Sequence, residues 1–522
     1  MLTLYQSILL INEKTILSKA IILFVGLVCF IFYSGWYPYH FYYQEQNQLF
    51  LNDWQYVAGY FSQPAWLSCL LGDWLTQFYY YRFAGPAILA VSLVLLGLLT
   101  RRALHKIGLR RFSTVIAVVA MLFFADFSFY HEYRLASLLS TLGGIILFIL
   151  CHRRWYVTLL GFVLTWWLFG NGILAYTVLL IGGLFIHAPS KRQFRITVAG
   201  LLILFCLIPL TRHLYVLDIY DLYTYPGLGK ICKPELSFEK EFGAEAEYGL
   251  GNWNHAVAMT EKEKEPSQGQ LFFYNLVMAQ RGELPDVLLK WPDNYLGTFE
   301  KIGPDTPVLT IKRMNELYWA LGDMTFAERA AMQALVFSPM NRNVKMVKRL
   351  AEINLTTGNK AAAEKYLRLL DKTAVYGRWA AEMRQNSDFY KRKALMTNHK
   401  DTLRLSDNAH LIMMELLDSN PDNTVALDYL LCSDLLLKDI TNFKRDYDRY
   451  CMPSARGNHK MRMKTLYQQA LMIWLAGTDA PQEEWQRYIK MPSELQRFQA
   501  YSHMRGNPAF KDTYWYWFDT HK

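Results

Sequence analysis

"ILSKAIILFVGLVCFIFYSGW", residues 16–36, carries a single charge, Lys19, in an otherwise apolar run. About 20 apolar residues are what an α-helix needs to cross a hydrocarbon layer of about 30 Å. The run passes into "YSGWYPYHFYY", residues 33–43, whose rings are of the kind that gather at a bilayer surface. Lys14 and Lys19 would suit a secretory signal, but no small-residue cleavage site follows, so the segment is read as a retained anchor.

Six further runs extend the pattern, at 83–99, 113–129, 135–151, 155–169, 173–187 and 196–216. The fifth and sixth of the seven are short and meet at "FGNG", residues 169–172. Together they explain a composition of 52% hydrophobic and 15% aromatic residues, high for a chain of 522 residues in water. The expectation is an all-α protein. Residues 1–217 form a domain of about seven transmembrane helices, and residues 218–522 form a second domain of ordinary composition.

Basic residues orient the spans, because positively charged loops stay in the cytoplasm. Lys14 and Lys19 precede the first span, "RRALHKIGLRR" (101–111) follows the second, "HRRW" (152–155) the fourth and "SKRQFR" (190–195) the sixth. The opposite loops hold only Arg82 and Arg134. The N-terminus is therefore expected inside and, after an odd number of spans, residues 218–522 outside. In a bacterium this is a multi-pass inner-membrane protein with a periplasmic C-terminal domain. The net charge of +10 is then a topology signal, and no nucleic-acid partner is expected.

Helical spacing recurs beyond Tyr220. "LYWALGDMTFAERAAMQALVFSP", residues 317–339, places Gly322 and Asp323 at a turn, Ala327, Ala331, Ala334 and Leu335 on a packing face, and Pro339 at the end. That order resembles the tetratricopeptide repeat. In "LTTGNKAAAEKYLRLLD" (355–371) the turn glycine, Gly358, falls 36 residues after Gly322, near the usual period of 34. Weaker copies are "YGLGNWNHAVAM" (248–259), "VMAQRGELPDVLL" (277–289) and "LKDITNFKRDY" (437–447). Such repeats stack into a solenoid whose concave face binds an extended segment or helix of a partner, so a periplasmic or membrane protein is the expected partner, besides the bilayer itself. The aromatic tail "DTYWYWFD" (512–519) is expected to dock as an end cap.

Seven cysteines show no metal-knuckle spacing, and buried free thiols at Cys432 and Cys451 are favoured over a disulfide. There is no phosphate-cradling glycine loop, paired-histidine metal signature or nucleophile elbow. Only "WWLFGNGI" (166–173) interrupts a span, too little for a transporter.

The ionisable residues of the outer face lie in "FADFSFYHEYRLAS" (124–137), with Asp126, His131, Glu132 and Arg134, and in "FYYQEQNQLFLNDWQYV" (41–57), with Glu45 and Asp53. Asp73 lies further on, in "PAWLSCLLGDWLTQFYYY" (64–81), whose Leu and Trp spacing reads as an amphipathic helix on the outer surface.

The runs "EQNQLFLNDWQYVAGYF" (45–61) and "LGDWLTQFYYYRFAGPAILA" (71–90) resemble the start of an uncharacterised Bacteroidetes family of polytopic membrane proteins, a domain of unknown function. That resemblance implies a cytoplasmic-membrane protein of a Gram-negative anaerobe and no particular activity. In layout the chain is more loosely similar to multi-span glycosyltransferases that use polyprenyl-phosphate sugars. These share the acidic first outer loop, the surface helix within it and the periplasmic C-terminal domain. The looser similarity implies Asp53 or Glu45 as the base for an acceptor hydroxyl, with Asp126 or Glu132 assisting, and Arg82, His131 or Arg134 facing the lipid phosphate. A divalent cation enters only under that reading, and otherwise no cofactor is expected. Two departures weigh against it: many such enzymes have more spans, and no acidic pair directly follows the first span. The competing expectation is that these groups pair with one another across loops or sit in headgroup water.

Overall fold

A computed structural model describes residues 2–152, 154–187, 191–297, 300, 302–395, 397, 408–452 and 463–521. Among the described residues there are helices and no strands. Of the basic topology signals, Arg153 and the side chains of Lys14, Lys191 and Arg192 lie outside the described part. The chain divides into two compact units. The first holds Met1–Phe242, Arg342–Val344 and Arg368–Ala381; the second holds Gly243–Asn341, Lys345–Leu367 and Glu382–Lys522.

The first unit opens with α1 (Leu2–Gly35), α2 (Tyr39–Gln46), α3 (Trp54–Ala58) and α4 (Trp66–Thr76). It continues with α5 (Ala84–Lys106), α6 (Ser113–Phe127), α7 (Leu135–Cys151), α8 (Trp155–Phe169), α9 (Gly172–His187) and α10 (Lys191–Leu207), then the short α11 (Arg212–Tyr215) and α12 (Ile219–Thr224). Every run expected to span is helical. Three stretches, Ile16–Gly35, Ala84–Lys106 and Gln193–Tyr215, are long and apolar enough to cross a membrane. The other four, α6 to α9, are apolar helices of 15 to 17 residues. At 1.5 Å per residue they are about 22–26 Å long, short of the hydrocarbon thickness unless flanking residues complete the crossing.

Outward faces are oily. Leu17, Leu23, Phe24, Leu27 and Ile31 of α1 are exposed while Ile22, Cys29 and Tyr33 are buried. Small residues let the backbones approach where the helices cross. A Cβ on Gly144 of α7 would lie 2.1 Å from the Gly172 carbonyl oxygen, and one on Gly172 would lie 2.1 Å from the Ser140 carbonyl oxygen. The "FGNG" break between α8 and α9 is pinned from inside. The Asn171 side chain donates to Ser137 Oγ (3.0 Å) and to the carbonyls of Gly227 (2.7 Å) and Thr224 (3.2 Å). The break thus satisfies backbone groups that would otherwise be stranded among apolar side chains.

The segment expected to be a surface helix is α4, followed by a 3₁₀ turn at Gln77–Tyr80. Its inward face is the small and polar one: Ser68, Cys69, Gly72, Asp73 and Thr76 are buried, and Leu71 and Trp74 are exposed. Gly72 lets it press on α7, where an added Cβ would come 2.7 Å from the Ala136 Cα.

In the second unit short turns join the remainder of α13 (Leu236–Gly249) to α14 (Trp253–Glu261), α15 (Gln268–Arg281) to α16 (Leu284–Val287), α17 (Val308–Leu321) to α18 (Met324–Phe337), and α19 (Val344–Thr356) to α20 (Lys360–Asp371), of which Val344 and Arg368–Asp371 belong to the first unit. Each of these four turns has its glycine in the left-handed region, with φ of +81° at Gly251, +71° at Gly282, +82° at Gly322 and +77° at Gly358. A side chain there would be strained. Asp323 caps α18 by accepting from the Phe326 N–H (3.1 Å), and Ala327, Ala331 and Ala334 are buried against the neighbouring helices. After α21 (Gly377–Gln385) and α22 (Asp388–Ala394) come α23 (Ala409–Ser419), α24 (Thr424–Leu436) and α25 (Ile440–Cys451), then α26 (Thr465–Gly477), α27 (Gln482–Tyr488), α28 (Pro492–His503) and α29 (Tyr514–Thr520). The aromatic tail forms α29 and docks: Tyr514 and Trp515 are buried, and the Tyr514 hydroxyl donates to the Leu435 carbonyl (2.8 Å). Cys432 and Cys451 are buried free thiols.

Candidate functional site

Asp73 is the centre of the polar cluster in the first unit. It sits on the buried face of α4, where the Tyr60 hydroxyl donates to its Oδ2 (2.7 Å). Arg134, at the start of α7, donates to its Oδ1 (3.0 Å), and Arg342 donates to its Oδ2 (3.3 Å) and to the Tyr60 oxygen (3.0 Å). The Arg342 guanidinium lies over the rings of Tyr56 (5.0 Å) and Tyr60 (5.5 Å). One carboxylate that is 4% exposed thus holds two guanidiniums, and the cluster is left with an excess of positive charge.

The sequence-derived site residues are distributed as follows. Arg134 alone enters this cluster. Asp53 caps α3, accepting from the Gln55 N–H (3.0 Å), and its carboxylate pairs with Lys372. The hydrogen bond from Lys372 holds it below the usual carboxylate range, opposite to the shift that would suit a general base near neutral pH. Glu45, on α2, is buried and accepts from the Tyr376 hydroxyl (3.2 Å). Asp126 is near the end of α6 and accepts from the Cys232 N–H (3.3 Å). Glu132 is exposed and accepts from the Tyr130 hydroxyl. His131 packs among Tyr43, Phe238 and Phe242, and burial pushes its imidazole below its ordinary value. Arg82 stays at the surface over the Phe83 ring.

Sequence reasoning missed Arg342, Lys372 and Tyr376, each more than 250 residues from its partner. No periodicity links such residues. The cap at Asp53, one residue before a helix, was a legible local signal.

A second ionic group belongs to the second unit. His410 on α23 lies between Asp434 on α24 (Nδ1 to Oδ1, 3.2 Å) and Asp446 on α25 (Nε2 to Oδ2, 2.9 Å). Ligand atoms of these three lie within 4.8 Å of one another, close enough to share a metal ion. Arg445 already supplies the positive charge, donating to Asp446 (3.0 Å) with a guanidinium nitrogen 2.9 Å from His410 Nε2. The hydrogen bonds that its ring nitrogens donate to Asp434 and Asp446 raise the imidazole to about 9. Its stabilising effect is therefore fully present below the unfolded value of 6.5 and lost as pH rises through about 9. Thermal melts in detergent micelles should show about 2 kcal/mol lost by His410→Gln at pH 6 and little lost at pH 10. An equal loss at both pH values would remove the charged bridge.

Residues 13–521 match a family of unknown function, DUF6057. The chain belongs to the DUF6057 family. No curated protein and no solved structure matches it. In this DUF6057 chain Glu45, Asp53 and Asp73 are tied to Tyr376, Lys372 and Arg342, joining segments that are remote in sequence.

Proposed function

We propose that this DUF6057 protein is a polytopic inner-membrane protein of a Gram-negative bacterium with about seven spans and its N-terminus in the cytoplasm. The second unit is a periplasmic, tetratricopeptide-like scaffold that holds a protein partner during envelope assembly. The observation that supports this reading is the recurrence of left-handed glycine turns between helices, at Gly251, Gly282, Gly322 and Gly358. Repetition of that kind builds extended surfaces for protein ligands. The engagement of Asp53 with Lys372 and of Asp73 with two arginines supports a structural role for those acids.

A glycosyltransferase using a polyprenyl-phosphate sugar is the second reading. It is favoured by one observation, two guanidiniums converging on Asp73, which is cationic chemistry suited to a lipid phosphate. Native mass spectrometry of protein extracted gently from its own membranes separates the two. The scaffold predicts a retained protein that persists in Arg134→Ala. A retained polyprenyl phosphate that disappears in Arg134→Ala, with no protein bound, would replace the scaffold with the enzyme.

A further inference from the structure

A chain of buried ion pairs runs through the second unit and ends beside a cation that, among the described residues, has no carboxylate within ion-pair distance. Lys312 pairs with Glu245 (3.1 Å), and Lys345 pairs with both Glu245 (2.9 Å) and Glu316 (3.1 Å). Arg349 pairs with Glu316 (2.5 Å) and Glu352 (3.0 Å), and Lys348 also reaches Glu352 (3.6 Å). Each of the three carboxylates is therefore shared between two cations. Beside this chain lies Lys393, half-buried at the end of α22. Among the described residues its ammonium has no carboxylate within ion-pair distance, and it lies 4.5 Å from the centre of the Trp319 ring. The Arg349 guanidinium is also 4.5 Å from that ring centre, and Tyr390 packs nearby, its ring centre 6.4 Å from that of Trp319.

Taking an ammonium out of water costs several kcal/mol unless an anion meets it, and one aromatic face returns only a fraction of that. Arg349 is already committed to Glu316 and Glu352, and its proximity adds repulsion. Burial, with Arg349 beside it, pushes the Lys393 ammonium down to about 8. We propose that Lys393 and Arg349, backed by the Trp319 ring, form a binding site for an oxyanion, a carboxylate or a phosphate carried by a ligand of the second unit. The bound oxygen would meet the Lys393 ammonium, with Arg349, 11% exposed and with a buried Nε that has no hydrogen-bond partner among the described residues, as the second cation. The site stands independently of the scaffold and enzyme readings, since an oxyanion can belong to a protein, a lipid or a small molecule.

The test is lysine acylation of the full-length protein in detergent micelles at pH 8, read residue by residue by mass spectrometry. About half of Lys393 is neutral there, against well under 1% of an ordinary lysine, so it should react much faster than Lys391 on the same helix. Inorganic phosphate and acetate are the probes, compared with chloride at equal ionic strength. An anion that raises the Lys393 value by one unit should slow its acylation about fivefold and leave Lys391 unchanged. Protection by phosphate identifies the phosphate source and protection by acetate alone the carboxylate source, and either supports the site. Equal rates at Lys391 and Lys393, or no selective protection by either anion, would overturn it. Lys393→Met gives a second readout. Because it removes an unmatched charge and keeps the stem, it should melt no lower than the parent in chloride and lose the stabilisation by the protecting anion. A lower melting temperature with the anion response intact would also overturn the site.

Discussion

Asp73→Asn should destabilise the first unit by about 3–5 kcal/mol, because it leaves the guanidiniums of Arg134 and Arg342 partly buried without an anion. The amide keeps the shape and can still accept from Tyr60, so the loss isolates charge from packing. Adding Arg342→Met should recover part of it, since Arg134 then has no like charge beside it. Asp53→Asn is the contrast: asparagine can still cap α3, and the pair with Lys372 lies at the surface, so the melting temperature should barely move. Thermal unfolding of the four proteins in detergent micelles checks the set. Equal melting temperatures for the parent and Asp73→Asn would mean that the cluster holds nothing together.

Gly172→Ala should cost about 3 kcal/mol and loosen the crossing of α7 and α9. The added Cβ would lie 2.1 Å from the Ser140 carbonyl oxygen, a backbone atom that yields only if the whole helix moves. Because Asn171 precedes it, the displacement should also weaken the bonds to Ser137, Thr224 and Gly227. Gly182→Ala on the same helix is the control. Its Cβ meets only Ile107 Cδ1 at 3.6 Å, so it should be neutral or stabilise slightly through better helix propensity. If the two substitutions had the same effect, close backbone approach would not be what sets this crossing.

Local signals were the legible ones. The turn glycines Gly322 and Gly358 could be read because a left-handed turn demands that residue and the small packing face follows at helical spacing. The stripe Ser68, Cys69, Gly72, Asp73 and Thr76 was present in the sequence too, yet its direction was not legible. The polar stripe turns inward and Leu71 and Trp74 outward, the reverse of a helix on a water-soluble protein. Four apolar runs gave helices of 15 to 17 residues, because composition marks an oily segment without specifying where its last turn unwinds. The cluster around Asp73 was beyond reach for another reason. Its partner Arg342 is 269 residues away, and a lone arginine in a loop carries no mark of the carboxylate it will meet.

Arg342–Val344 and Arg368–Ala381 belong to the first unit although the chain first leaves that unit at Phe242. A ribosome that has delivered residues 1–242 has therefore not yet delivered the parts that finish the unit. Asp73 must wait for Arg342, and Asp53 and Glu45 wait longer, for Lys372 and Tyr376. At ~5–20 residues per second the last of these segments emerges roughly 7–28 s after residue 242. During that interval Asp73, Asp53 and Glu45 stand without these partners, which makes the unit a product of most of the message rather than of its first half.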